Sequence, residues 1–170
     1  MLRDYRSSDE AAFVAYHDDP SFAAHYPVDE TGPEHARRVF GSFLEWQEAS
    51  PRLNFQFAVC RQGDDRTIGS CGVRRHAAAS TEADFGIELA RSHWGQHGVA
   101  IEIAMATMDW AFDHLPVCAL TAQTAATNEV VTRMAERAGF ERCPIEPHVR
   151  DQGVVRWRLE RPDAGALPTW

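Results

Sequence analysis

The sequence predicts a mixed α/β (α+β) domain, and three observations predict it. Strand-like alternation and helix-like periodicity take turns along the chain from Leu2 to about Leu159. At its centre a strand (Glu82–Ala90), a glycine-bearing turn and an amphipathic helix follow one another. The 170 residues, 44% hydrophobic and 25% charged, suit one domain with a real core.

The elements follow in order. Leu2–Arg6 reads as a short strand. Ser8-Asp9-Glu10 reads as the cap of a helix over Ala11–His17. Pro20, Pro27, Gly32 and Pro33 make Asp18–Pro33 a loop with at most a short helix. Pro33 suits the first turn of a helix to about Ala49, with Val39, Phe40, Phe43, Leu44 and Trp46 on one face. Leu53–Val59 alternates with period two, as a half-buried strand does. Gly63-Asp64-Asp65 turns the chain into a returning strand, Thr67–Arg74, where Gly69 and Gly72 signal a bulge or a close backbone approach. After the loop Ala77–Thr81 and the strand Glu82–Ala90, a helix from about Gln96 to Asp113 puts Ile101, Ala104, Met105, Met108, Ala111, Phe112 and Leu115 on one face. Pro116 ends it. Val117–Gln123 is a strand, and a helix runs from Asn128 to a terminal glycine, Gly139. Phe140–Cys143 and Val154–Leu159 are the last strands, joined by Pro144–Gly153. These elements make a single domain over residues 1–160, followed by a loose tail, 161–170.

Composition narrows the function. The net charge of −8 argues against direct nucleic-acid contact and suits a cationic partner. All 17 basic residues are Arg, so the chain carries no Lys of its own. No apolar run approaches the ~18 residues of a membrane span, and the start of the chain lacks a signal-peptide core. A cytoplasmic location is the expectation. Cys60, Cys71, Cys118 and Cys143 form no C-x-x-C pair, and the eight histidines show no H-E-x-x-H spacing, so no metal is expected. Cys60 and Cys71 read as neighbouring, free, buried thiols, and Cys143 as a core thiol.

The run Trp94-Gly95-Gln96-His97-Gly98-Val99-Ala100 carries the most chemistry. A helix start offers unpaired N–H groups and the positive end of the helix dipole, which suits a phosphate. Gly95 and Gly98 allow the backbone to turn tightly and approach an anion. A turn that uses glycine only for geometry is the rival reading.

Ile87-Glu88-Leu89-Ala90 followed by Trp94–Glu102 resembles the acetyl-CoA signature of the GNAT-type N-acyltransferases. Asn128–Phe140 resembles their Asn-containing helix that ends in Gly-Phe. Leu2-Arg3 and the Pro20/Pro27 loop resemble the ribosomal-protein N-terminal acetyltransferase (RimJ/RimL-like) branch. The resemblance spans about residues 2–160. It implies a mostly antiparallel twisted sheet of about seven strands, splayed between strands 4 and 5, with about four helices. Acetyl-CoA would lie in the splay. Ile87 and Leu89 would hold its pantetheine arm, and the amides of Gly95, Gln96, His97, Gly98, Val99 and Ala100 its pyrophosphate. Asn128 would reach it from the next helix.

The chain departs from the family's pattern where Gly95 fills the first slot of the phosphate motif. Val131 stands where branch members often carry Ser. Met134 stands near the usual Tyr acid and has no proton to give.

Acyl transfer to an amine needs a base, a donor for the oxyanion and a leaving thiolate. Glu88 is the candidate base, directly or through water, because its side chain leaves the apolar face of its strand. A solvated strand-face glutamate is the rival reading, and Asp84 and Glu82 are weaker candidates. His97 is read equally as a phosphate contact and as turn filler. His93 and His148 read as surface histidines, and Trp46 as core before acceptor pocket. Thr127 and Thr132 are the alternatives to Met134. The implied partners are an amine-bearing small molecule or a protein N-terminus, without nucleic acid or membrane; a homodimer stays open. A noncatalytic acyl-CoA-binding domain or sensor is the alternative function, favoured by Val131 and Met134.

Overall fold

A computed structural model describes residues 1–24, 26, 28–95, 98–144 and 153–162. Pro27, Gln96, His97 and His148 lie outside the described residues, as do all of 145–152 and the tail beyond 162.

Seven strands form one sheet: β1 (Leu2–Asp4), β2 (Asn54–Cys60), β3 (Thr67–Arg74), β4 (Glu82–Leu89), β5 (Ala119–Ala125), β6 (Glu141–Arg142) and β7 (Val154–Glu160). Their order is β1-β2-β3-β4-β5-β7-β6. Every neighbouring pair is antiparallel except β4 and β5, which run parallel. Five helices pack on it: α1 (Glu10–His17), α2 (Pro20–Ala23), α3 (Pro33–Glu48), α4 (Val99–His114) and α5 (Glu129–Arg137). The four-residue α2 adds one to the four expected.

Local chemistry explains the boundaries. Pro33 opens α3 at its first turn. The Asp19 carboxylate accepts from the Ser21 N–H and caps α2. Asn128 does the same for α5 through Val131. Asp9 serves the chain start more than α1. Its carboxylate accepts from the Arg6 N–H (2.8 Å), both terminal nitrogens of Arg3 (2.7 and 2.9 Å) and the Thr67 hydroxyl (2.9 Å).

Alternation gives the sheet a core on each face. Tyr5, Phe13, Tyr16, Phe22, Ala36, Phe40 and Phe43 pack with Ala58 and Cys60 on one side, under α1–α3. Val59, Cys71, Val73, Ala83, Phe85 and Leu89 pack with α4, Phe140 and Trp157 on the other. A bulge sets the register. Val59 pairs with Gly69 and Cys60 with Thr67, so Ile68 is the extra residue and joins the α4 side with Cys71.

Two expectations shift. On α4 the buried face runs through Ile103, Ala104, Thr107, Met108, Ala111 and Phe112, while Ile101 and Met105 are half-buried. The Thr107 hydroxyl donates back to Ile103 O (2.9 Å), which makes a polar residue acceptable in the core. Arg161, expected in the tail, is tied down: its N–H donates to Cys118 O (2.7 Å), and its guanidinium to Phe112 O and Leu115 O at the end of α4.

Candidate active site

Strands β4 and β5 pair only through Glu82–Ala119, Ala83–Leu120 and Asp84–Thr121. Beyond those three residues they part. Ala90 donates to Ile68 O, so the even-numbered residues of β4 turn their backbone groups to β3. Phe85, Ile87 and Leu89 therefore turn theirs into the gap. The Leu89 carbonyl is already taken by the Trp94 indole N–H (2.7 Å), which leaves the Leu89 N–H and both groups of Ile87. These are the two residues at which the resemblance placed the pantetheine contacts.

Two chambers meet at this gap. One is narrow and apolar, about 80 Å³, and runs between the gap, α4 and α5; Ile101, Met105, Val131 and Met134 line it. The other, about 520 Å³, opens toward α1–α3 and includes His17, Tyr26, Trp46, Arg74 and Glu88. Gly86, Ile87, Ala122 and Gln123 belong to both. Trp46 is thus a chamber residue as well as a packing partner of Phe43.

At the entrance to α4 the backbone takes positive φ at Gly95 (69°) and Gly98 (82°), conformations that glycine adopts without strain. A Cβ at either would meet nothing within 4 Å, so conformation and open approach, not crowding, make glycine fit there. Gly98 is the N-cap, and α4 begins at Val99, so the first amides of α4 are left over for an anion. Asn128 spends its side-chain oxygen on Val131 N (3.2 Å), which leaves its NH2 to reach a ligand.

Glu88 stands on the face opposite the Phe85–Leu89 core, with its side chain 20% exposed. Three groups from α1 and the loop after α2 converge on it. The Tyr16 hydroxyl donates to Oε1 (2.8 Å), the Tyr26 hydroxyl approaches Oε2 (3.4 Å), and His17 Nε2 lies 3.4 Å from Oε1. His17 Nδ1 sits 2.9 Å from Phe13 O, a group that only accepts. The proton of a neutral ring is therefore on Nδ1, and its basic Nε2 faces Glu88. Burial, and next the Glu88 charge, hold the Tyr16 and Tyr26 phenols well above the ordinary tyrosine range. They are firm donors to the carboxylate and poor acids.

Sequence reasoning did not find Tyr16, His17 or Tyr26. Tyr16 and His17 end the helix read over Ala11–His17 and Tyr26 lies in the loop Asp18–Pro33, where no local pattern points to a site. Other candidates are engaged elsewhere, although Asp84 also lines the polar chamber. Thr132 has a buried hydroxyl without a hydrogen-bond partner and lines neither chamber. Asp84 is held by the Thr121 hydroxyl (2.5 Å) and His76 (2.9 Å), and Glu82 by Arg158 (2.5 Å). Cys60 and Cys71 are free and buried, as expected, but they are not neighbours: they lie in the cores on opposite faces of the sheet, and Cys143 is half-buried. Among the described residues no group of three or more His, Cys, Asp or Glu could hold a metal ion, and no helix is long and apolar enough to cross a membrane.

The acetyltransferase (GNAT) domain profile matches residues 1–141. An uncharacterized N-acetyltransferase, p20 of Bacillus licheniformis, is 26% identical over 104 residues, which are 61% of this chain and 56% of that protein. The chain thus spans little more than half the length of that curated relative. The fold resembles a ribosomal-protein-S5-alanine acetyltransferase from Vibrio fischeri (TM-score 0.74, 18% identity, 95% of this chain and 93% of that one). It also resembles a spermidine N-acetyltransferase from Vibrio cholerae, solved with CoA and spermine (TM-score 0.73, 16% identity, 94% of each chain).

Proposed function

The chain belongs to the GNAT acetyltransferase family, and from that premise we propose that it moves an acetyl group from acetyl-CoA to a primary amine by direct attack in a ternary complex. The observation that carries this reading is the forked β4–β5 seam, with an apolar chamber on one side and the Glu88 carboxylate in a polar chamber on the other. The named activities of the two structural neighbours, on spermidine and on a ribosomal-protein alanine, support an amine as acceptor.

Ile87 would hold the pantetheine arm, with Leu89 at its thioester end, and the amides from Gly95 to Ala100 the pyrophosphate, with Asn128 beside them. Bound there, acetyl-CoA supplies an activated thioester whose thiolate, with a pKa near ~8.5, leaves without an obligatory acid. That removes the need for a proton donor at Met134. Glu88 takes the proton as the amine forms its bond to carbon, and His17 Nε2 stands close enough to share it. Tyr16 and Tyr26 hold the carboxylate in place. The Leu89 N–H is the donor for the carbonyl oxygen as charge grows on it.

The test is a thermal shift with acetyl-CoA, CoA and ATP, followed by thiol release with a panel of amines. Stabilisation by acetyl-CoA and CoA but not ATP is expected, near ~2.7 kcal/mol at about 100 times Kd. Glu88→Gln should lower kcat about 100-fold or more at neutral pH. Unchanged turnover in that variant sinks the base. Binding without turnover of any amine gives the protein to the acyl-CoA-binding reading instead, and no shift at all removes both.

A further inference from the structure

We propose that the polar chamber takes an apolar α-amino acid, with its carboxylate on Arg74 and its amine presented to Glu88. The inference rests on the acyl-transfer reading and names its acceptor.

Arg74 ends β3 and lies on the same face of the sheet as Glu88. Its guanidinium reaches across onto β4 because residue 86 has no side chain: a Cβ on Gly86 would sit 3.1 Å from one terminal nitrogen. Of the five N–H donors of a guanidinium, the described residues engage one, through Gln56 Oε1 at 3.3 Å. Asp84, its cross-strand neighbour, is held by Thr121 and His76 and forms no ion pair with it. Among the described residues Arg74 is therefore a half-buried cation that pairs with no carboxylate, although Glu30 and Asp84 line the same chamber.

The spacing suits a zwitterion. Gly86 and Glu88 are two residues apart on one strand, roughly 7 Å. An ammonium and a carboxylate on one carbon, each with a hydrogen bond of roughly 2.8 Å, bridge that distance. Phe22, Val39, Phe43 and Trp46 supply an apolar wall for the side chain. A polyamine would set a second ammonium against Arg74, which costs affinity.

The experiment compares L-phenylalanine and L-leucine with phenethylamine, phenylalaninamide and spermidine in thiol release from acetyl-CoA. Wild type should favour the free amino acids over the decarboxylated amine and the amide by about 10- to 100-fold in kcat/KM. Arg74→Met should bring that ratio close to one, chiefly through KM. Gly86→Ala displaces the far end of a flexible side chain and should reduce the same ratio. Equal use of phenethylamine or phenylalaninamide, preference for spermidine, or an Arg74→Met loss common to all acceptors would overturn the proposal. The same acceptors are also tested for thermal shift on the CoA-saturated protein. There a shift by L-phenylalanine and not by phenethylamine supports the proposal even if no amine is turned over, and its absence overturns it.

Discussion

Replacing glycine by alanine at two positions should move stability in opposite directions, and the structure says by how much. Gly72 lies in β3, where a Cβ would stand 2.2 Å from Phe55 O, 2.8 Å from Gln56 Oε1 and 2.9 Å from Gln56 Cα. Two of those atoms are backbone of the paired strand, so β2 and β3 must separate by about an ångström. Overpacking of this kind costs about 1–3 kcal/mol, and at this chain length ~1 kcal/mol lowers Tm by about 2–4 °C. Gly72→Ala should therefore melt roughly 2–12 °C below the parent. Gly41 lies inside α3, where a Cβ meets nothing within 4 Å. Gly41→Ala should gain about 0.4–1 kcal/mol from helix propensity and a less free unfolded chain. Urea titration of the three proteins, with the slope m compared, is the assay. A Gly72→Ala protein as stable as the parent would refute the close-approach argument. Loss of stability in Gly41→Ala would show that α3 contacts something at that face.

Two further outcomes follow from burial and charge. Burial opposes the ionisation of Asp9, but Arg3, the Arg6 amide and Thr67 outweigh it and hold the carboxyl below the usual range. Its stabilisation is thus complete above the unfolded value near ~4 and fades as pH falls through the lower folded value. Asp9→Asn should cost about 3 kcal/mol or more at pH 7, and urea midpoints should show that gap closing below about pH 4; a gap that widens in acid would contradict it. Burial pushes the Cys71 thiol up to about 12, and Cys118 is exposed. Iodoacetamide at neutral pH should label Cys118 in the native protein and reach Cys71 only after unfolding, as mass spectrometry of the peptides would show.

Local rules made the elements with local causes legible. Pro33 places the start of α3, the period-two run Leu53–Val59 marks β2, and the Gly63-Asp64-Asp65 turn marks the returning strand β3 over Thr67–Arg74. The glycine turn before α4 was legible for the same reason, because positive φ is a property of the residue itself. The face of α4 was read a little off. Ile101 and Met105 fit the helical stripe, yet they border the gap, while Ile103 and Thr107 take the core. Periodicity assigns a face only against a continuous wall, and the wall here is forked. Glu88 was legible as a strand residue off the apolar face. Its partners were not, because Tyr16 and Tyr26 lie 72 and 62 residues away and meet it only after α1 and the loop after α2 have packed. The reach of Arg74 over Gly86 is hidden likewise, as it depends on an absent side chain on another strand.

An open sheet ordinarily has two edges, and this one has four. Where β4 and β5 part after three paired residues, each exposes a row of backbone groups in the middle of the molecule. Edges of that kind invite a further strand. Here the walls leave room for a thin extended chain and not for another sheet, so the interior edges are protected by width where outer edges need charge or bulges. The two slabs, β1–β4 and β5–β7, are stitched at one end and free at the other. An occupant that hydrogen-bonds to the inner rows would act as a missing strand. The amides of Ile87 and Leu89 should then exchange with solvent quickly in the empty protein and slow sharply once the seam is filled.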